Sequence, residues 1–449
     1  MNMRREAFIC VVIGVVVGVI AGIQPIFALA GGAAILALAV GFGYPMLMLS
    51  VLPLAVFLWE PLATIGGFNF TYLDAVIGFF YLHLLFFLPR YKKLYQKERL
   101  LVQAWQMMCL AWIPILFSIF GAMIYLGVNQ AIPSLIYIKR WCEYSVLPVG
   151  MLMLCHKGQL KYIFLSLAVA NILFFLSSVV GVSIMGESAN FAEEKRAAGL
   201  LFNPNMAGIT AVLLMNSYCA MLSKSKESWL RIAFGAGILM NLTILISTAS
   251  REALVGLLVS CFMWLLFEGR VIVRHIPKIL IVGVLFITAL SFSDVGEHMA
   301  ERVGQMINSG GKEDNVVARI EAQMVALNIL AEYPMGIGVG NINMVSRDAM
   351  FSGEVFSFKY LPAYEKGIGT SDNQFVDGFV ENGLIGEAVF IACLWRIYQV
   401  VRDCRAKDLQ VNMVMLCIVG MAGYTFYAPF VASLFWLLIG IKVVDARRS

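Results

Sequence analysis

The chain has 449 residues, 60% hydrophobic and only 14% charged, with 33 Lys and Arg against 28 Asp and Glu. A soluble domain is nearer half apolar and a quarter charged, so this balance excludes a chain of soluble domains and gives no support to a nucleic-acid partner. The apolar runs are long and do not alternate, which excludes a β-barrel and leaves a helical membrane protein, since backbone in lipid must satisfy its own hydrogen bonds.

From the N-terminus, Arg4 and Arg5 precede a first apolar run that reads as a retained signal anchor. Runs near the length needed to cross the hydrocarbon fall at about 7–23, 26–42, 44–59, 72–88, 101–127, 132–154, 161–183, 205–222, 232–250, 252–268, 279–293, 376–396, 410–428 and 430–445. The expectation is an all-α polytopic membrane protein with about 12–14 transmembrane helices, the lower figure if short early runs merge or re-enter. Basic residues set the orientation. With the N-terminus inside, 22 of the 33 Lys and Arg fall in inner segments, Lys139 and Arg140 lie within a span, and nine face outside. The chain then divides into N-terminal spans (1–183), spans carrying arginine motifs (184–293), a large extracytoplasmic loop (294–375) and C-terminal spans (376–449).

Within the loop, "VVARIEAQMVALNILAEYP" (316–334) places Ile320, Met324 and Leu327 on one helical face, with Leu330 at its edge and Pro334 as its stop. This predicts an amphipathic helix on the outer surface, followed by a Gly-rich turn, "GIGVGN" (336–341).

Ionisable groups near lipid are expensive and mark candidate sites. Arg251 interrupts apolar sequence in "STASREA", where Ser250 can cap the following span and Glu252 suits its first turn. A plain outer turn with a snorkelling arginine is the alternative. Arg196 precedes "NPN", in which Asn203 or Asn205 can cap a helix, and Arg319 opens the loop helix. Arg140 and Glu143, three residues apart, can pair inside their span. Asp372 and Asn373 sit at the mouth of the span beginning near 376, where Asp372 can serve as a cap. Glu381 lies about two turns deeper and calls for a polar cavity or a basic partner, and Gly383 and Gly386 admit a close neighbour. Nine scattered cysteines and four histidines have no metal or disulfide spacing, and no HExxH, P-loop or dinucleotide fingerprint occurs, so neither a metal nor a cofactor is expected.

Three arginines, a carboxylate and amide side chains on one outer face suit a lipid-linked diphosphate. Guanidinium forks match phosphate oxygens and steady a departing pyrophosphate, and a carboxylate can accept a proton from an attacking hydroxyl.

The ordered segments "RAAGLLFNPN", "STASREA", "RIEAQMVALNILAEYPMGIGVGN" and "DNQFVDGFVENGLIGE" resemble the O-antigen ligase / O-antigen polymerase superfamily over about residues 190–400. The resemblance implies a bundle of the membrane glycosyltransferase C type, with a large periplasmic loop over an outward cavity in the bacterial cytoplasmic membrane. It implies undecaprenyl-diphosphate-linked glycan as donor and acceptor, the lipid bilayer as setting, and a chain-length regulator or flippase as partners. Arg196 and Arg251 would bind pyrophosphate and Arg319 would add a third basic contact, supported by Asn205, Ser250 and Asn373. The ligase pattern His-Asn, nine residues, Gly, two residues, Gly is matched by Asp372, Asn373, Gly383 and Gly386, with aspartate in place of histidine. That replacement favours a polymerase over a ligase. Asp372 and Glu381 are the candidate catalytic carboxylates, with Asp377 or no base at all as alternatives. A transporter that catalyses nothing is the rival from another class.

Overall fold

The computed structural model describes residues 44–58, 61–65, 68–95, 98–136, 141–180, 203–248, 250–269, 288, 314–351, 368, 371–423 and 425–447. The expected spans at 7–23 and 26–42, nearly all of 279–293, and the segment with Arg196, Lys139 and Arg140 lie outside these residues.

The described chain is helical apart from one hairpin. Helix α1 (Pro45–Phe57) leads to the antiparallel strands β1 (Pro61–Ile65) and β2 (Phe68–Thr71), with Ile65 opposite Phe68. There follow α2 (Tyr72–Tyr95), α3 (Arg99–Tyr125), α4 (Val128–Ile136), a 3-10 turn (Glu143–Ser145), α5 (Val146–Leu154), α6 (Leu160–Phe175), α7 (Pro204–Lys224) and α8 (Ser228–Thr248). After α9 (Arg251–Gly269) come α10 (Asp314–Glu332), α11 (Ile342–Phe351), α12 (Gln374–Asp403), α13 (Lys407–Gly420) and α14 (Pro429–Ala446). Among the described residues seven helices are long and apolar enough to cross a membrane, so the protein is an all-α polytopic membrane protein.

Consecutive spans alternate in direction. One end of the bundle, the upper end below, therefore carries the starts of α7, α9, α12 and α14. The opposite end carries the connections 155–159, 225–227 and 404–406, close to Lys157, Lys226, Arg405 and Lys407. These connections are among those that the sequence assigns to the inner side.

The core is apolar and aromatic. The Trp141 ring centroid lies 5.0 Å from Trp436, 5.2 Å from Phe426 and 5.3 Å from Phe390, which locks the chain ahead of α5 to α12 and α14.

Two expected spans are corrected. The run 132–154 is not one helix: α4, the 3-10 turn and α5 replace it, because the charged stretch ending at Glu143 splits the apolar run. The Tyr81 hydroxyl donates to the Glu143 carbonyl at 3.1 Å and ties α2 to that interruption. The run 410–428 ends as helix at Gly420, which packs against the Gln374 side chain. Gln374 Oε1 then accepts from the Thr425 N–H at 2.9 Å, the Thr425 hydroxyl at 3.0 Å and the Phe426 N–H at 2.9 Å, so one amide oxygen holds the non-helical turn before α14.

Helix α12 positions the site. It is broken at Gly383, with φ 74° and ψ 172°. Its lower part, 384–403, runs antiparallel along α3: Cys393 Sγ contacts the Met107 carbonyl at 3.7 Å and Gln103 Nε2 donates to Asp403 at 3.3 Å. About 20 residues at about 1.5 Å each span about 30 Å, one hydrocarbon thickness. The upper part, 374–382, folds back. A side-chain atom on Gly378 would strike the Glu387 carboxyl, although nine residues of straight helix would separate these positions by about 13 Å.

Candidate functional site

The break in α12 would orphan carbonyls of its upper half. The Gly-rich turn after α10 answers them. Ile337 N–H donates to the Val380 carbonyl at 2.9 Å and Gly338 N–H to the Glu381 carbonyl at 3.0 Å, while Leu384 N–H donates to the Pro334 carbonyl at 3.0 Å. Gly336, Gly338 and Gly340 have φ values of 90°, 86° and 87°, which non-glycine residues rarely adopt. The backbone of this turn wedges between Gly121 of α3 and Gly383 of α12, where any Cβ would collide with it. Gly386 in turn lets α12 close on Phe117 and Pro114 of α3.

Three acids of α12 are buried, and each is used. Asp377 accepts from the Ser371 N–H at 2.9 Å and shapes the turn leading into the helix. Glu381 Oε1 accepts from the Gly340 N–H at 2.9 Å, which turns its carboxylate toward the Gly-rich turn. Glu387 Oε2 accepts from Asn382 Nδ2 at 3.1 Å and from the Tyr427 hydroxyl at 3.3 Å, a clamp across the break and a role that the sequence reading did not assign to this acid.

At the mouth, Asn373 caps α12, its side chain accepting from the N–H groups of Phe375 at 3.1 Å and Val376 at 3.3 Å. Asp372 is therefore not the cap. It adopts a left-handed conformation, φ 55°, which aspartate tolerates better than most residues. Its carboxylate meets Arg319 of α10, with Oδ2 3.1 Å from Nε. Arg319 also reaches Glu252 of α9, Nη2 to Oε1 at 3.5 Å, and the Ala422 carbonyl, Nη1 at 3.5 Å. Burial pushes the Asp372 carboxyl above its ordinary value, Arg319 opposes this, and the neighbouring Asp377 adds to it.

Glu252 belongs to the sharply placed start of α9. Ser250 caps that helix, its hydroxyl accepting from the Ala253 N–H at 3.2 Å. Gly208 of α7 packs against Thr248, Ser250 and Ala253, so the α8–α9 turn is held between helices and Arg251 is exposed at the rim, one residue before Glu252. On α7 the cap is Asn203, which accepts from the N–H groups of Asn205 at 2.9 Å and Met206 at 3.2 Å; Asn205 occupies the first turn, above Gly208. The structure thus brings Arg319, Asp372 and Glu252 together beside Arg251, Ser250 and Asn373. Glu381 sits deeper, on the Gly-rich turn, and Arg196 lies outside the described residues. Glu252 was legible only as a helix-dipole residue; its place in the same "STASREA" segment as Arg251 was the available signal.

Such a cluster can bind an anion at a rim and hold a carboxylate ready to accept a proton. No curated protein matches the chain. Residues 236–391 match the family described as O-antigen ligase, a region that holds Arg251, Glu252, Arg319, Asp372 and the break in α12. That match supports the O-antigen ligase/polymerase superfamily and, with the membrane-length helices, a multi-pass membrane enzyme of glycan processing.

Proposed function

We propose that the chain polymerises undecaprenyl-diphosphate-linked oligosaccharide repeat units of a surface polysaccharide, on the outer face of the bacterial cytoplasmic membrane. One observation carries this reading: a guanidinium and two carboxylates from α9, α10 and the mouth of α12 meet inside the family-matched region, next to Arg251. A non-reducing-end hydroxyl of one lipid-linked unit attacks C1 of the sugar joined to diphosphate on the growing chain. The new C–O bond forms, the C1–O bond to diphosphate breaks, and undecaprenyl diphosphate departs with that electron pair. Asp372 takes the hydroxyl proton, a task its raised affinity for protons suits, and releases it to solvent. Arg251 and Arg319, with Arg196, offset the charge on the leaving diphosphate. A single displacement inverts the anomeric carbon.

A second reading is supported by the family description itself. As an O-antigen ligase the same site would transfer finished glycan to lipid A core or another acceptor, with Asp372 in the place of the ligase histidine. The test uses the purified full chain in liposomes, supplied with one lipid-linked repeat unit and, separately, with lipid-linked polymer plus lipid A core. A ladder of glycan lengths from the first mixture supports polymerisation. Transfer only in the second assigns ligation. Neither product, with substrate moved across the bilayer, overturns both in favour of transport.

A further inference from the structure

Helix α10 is apolar on both of its faces. Ile320, Met324 and Leu327 are 53%, 49% and 50% exposed and lie along one line at spacings of four and three residues. On the opposite side Ala322, Val325, Ala326 and Ile329 are buried, and the charged Glu321 is buried with them. A helix that packs one face on a core and turns the other to water carries polar residues on that outer face, not a second apolar line.

The C-terminal end of this helix is fixed in height. The Pro334 carbonyl takes the Leu384 N–H at 3.0 Å, at the first residue of the lower part of α12. The apolar stretch below Leu384 ends at Arg396, about 18 Å down, so Leu384 lies at or beneath the outer border of a hydrocarbon about 30 Å thick. Met335, Leu384 and Ile385 are exposed there, and the apolar surface continues down α12 through Ile391 and Trp395. The other end of α10 stays with the charged mouth, through Arg319 and Asp372.

The geometry points to α10 as an interfacial helix whose Ile320–Met324–Leu327 line rests among the acyl chains of the adjacent leaflet. Phospholipid acyl chains are the partner because the line continues the exposed apolar surface of α12, a helix of membrane-spanning length, while the exposed Asn328 gives the line a polar shoulder toward the headgroups. Anchoring α10 in this way sets the height of Arg319 against the bilayer whatever reaction the site performs, so the inference does not depend on the polymerase reading.

A photo-crosslinking amino acid, p-benzoylphenylalanine, is introduced at position 324 or 327 of the full chain. The protein is reconstituted in phosphatidylethanolamine/phosphatidylglycerol vesicles without any polyprenyl lipid, and adducts are read by mass spectrometry. Ile385 is the lipid-facing control and Asn328 the polar one; two separate α10 positions guard against one variant failing to fold. The expected result is phospholipid adducts at 324 and 327 matching those at 385 and several-fold above those at 328. Yields no higher than at 328, crosslinked dimers of the chain, or lipid adducts that appear only after a polyprenyl diphosphate is added would each overturn the inference.

Discussion

Arg319 and Asp372 lie 3.1 Å apart, yet their side chains keep 42% and 38% of their surface accessible. Ion pairs this exposed contribute at most about 1 kcal/mol to stability, so the pair is better suited to meeting a ligand than to holding the fold. The acid–base consequences follow from the direction of the Asp372 shift. Raised by burial, the carboxyl is protonated at low pH and idle as a base, so activity should climb with pH along a limb lying above the ordinary aspartate value. Asp372→Asn should abolish that limb and lower turnover by about 10²–10⁴-fold, the usual contribution of a positioned base, with donor binding retained. Arg319→Ala removes a positive charge that favours the ionised carboxyl, so the limb should move to higher pH and the KM for the lipid-linked donor should rise. A pH–rate profile of each variant with the same substrate separates the two effects. Asp372 and Arg319 could be named from sequence because each sits in a motif with fixed spacing. Their direct pairing could not, since 53 positions separate them and no local pattern records the turn that swings Asp372 away from capping.

At the scale of the element, the broken α12 is the decisive device. The hydropathy of 376–396 reads through Gly383 as one span, because the bonds that permit the break come from a turn more than forty residues earlier in the chain. Local periodicity cannot see donors supplied over such a distance. The glycine spacing did signal close approach at Gly383 and Gly386, and the amphipathic character of α10 was equally readable, since both are written in neighbouring residues. The break gives a contrast between two glycines. At Gly383 a side chain would have to adopt a φ of 74° and would collide with the backbone of Met335 and Gly336. Gly383→Ala should therefore destabilise by more than the about 1–3 kcal/mol that this glycine-only backbone conformation alone would cost, and should depress activity through the displaced turn. Gly235, inside α8, has open space at its Cβ position, so Gly235→Ala should be neutral or stabilising by up to about 1 kcal/mol. Thermal unfolding of both purified variants in one detergent provides the comparison.

For the whole molecule, hydropathy located the spans but not their places in the bundle. Helices α7 and α14 are central, with 78% and 83% of their apolar windows buried, whereas α9 is peripheral at 17% although its hydropathy is similar. Lipid is as apolar as a leucine core, so composition alone does not rank helices by depth, and small residues and polar bridges do the sorting. Asn216 Nδ2 donates to Ser260 at 2.9 Å and to Asn412 at 2.7 Å, joining α7, α9 and α13. Near the lower end, Lys442 of α14 pairs with Asp408 in the first turn of α13 at 2.7 Å, and both are buried. A carboxylate at that position also suits the helix dipole. Removing one member of such a pair strands the other, which typically costs about 3–5 kcal/mol, whereas removing both trades an ion pair for packing and is often close to neutral. Lys442→Met should thus lower the unfolding temperature sharply, and Asp408→Asn with Lys442→Met should recover most of the loss. The recovery must come from the pair itself, because the second substitution adds no contact that the first removed. A double variant as unstable as the sum of the singles would instead place the cost in lost packing around each side chain.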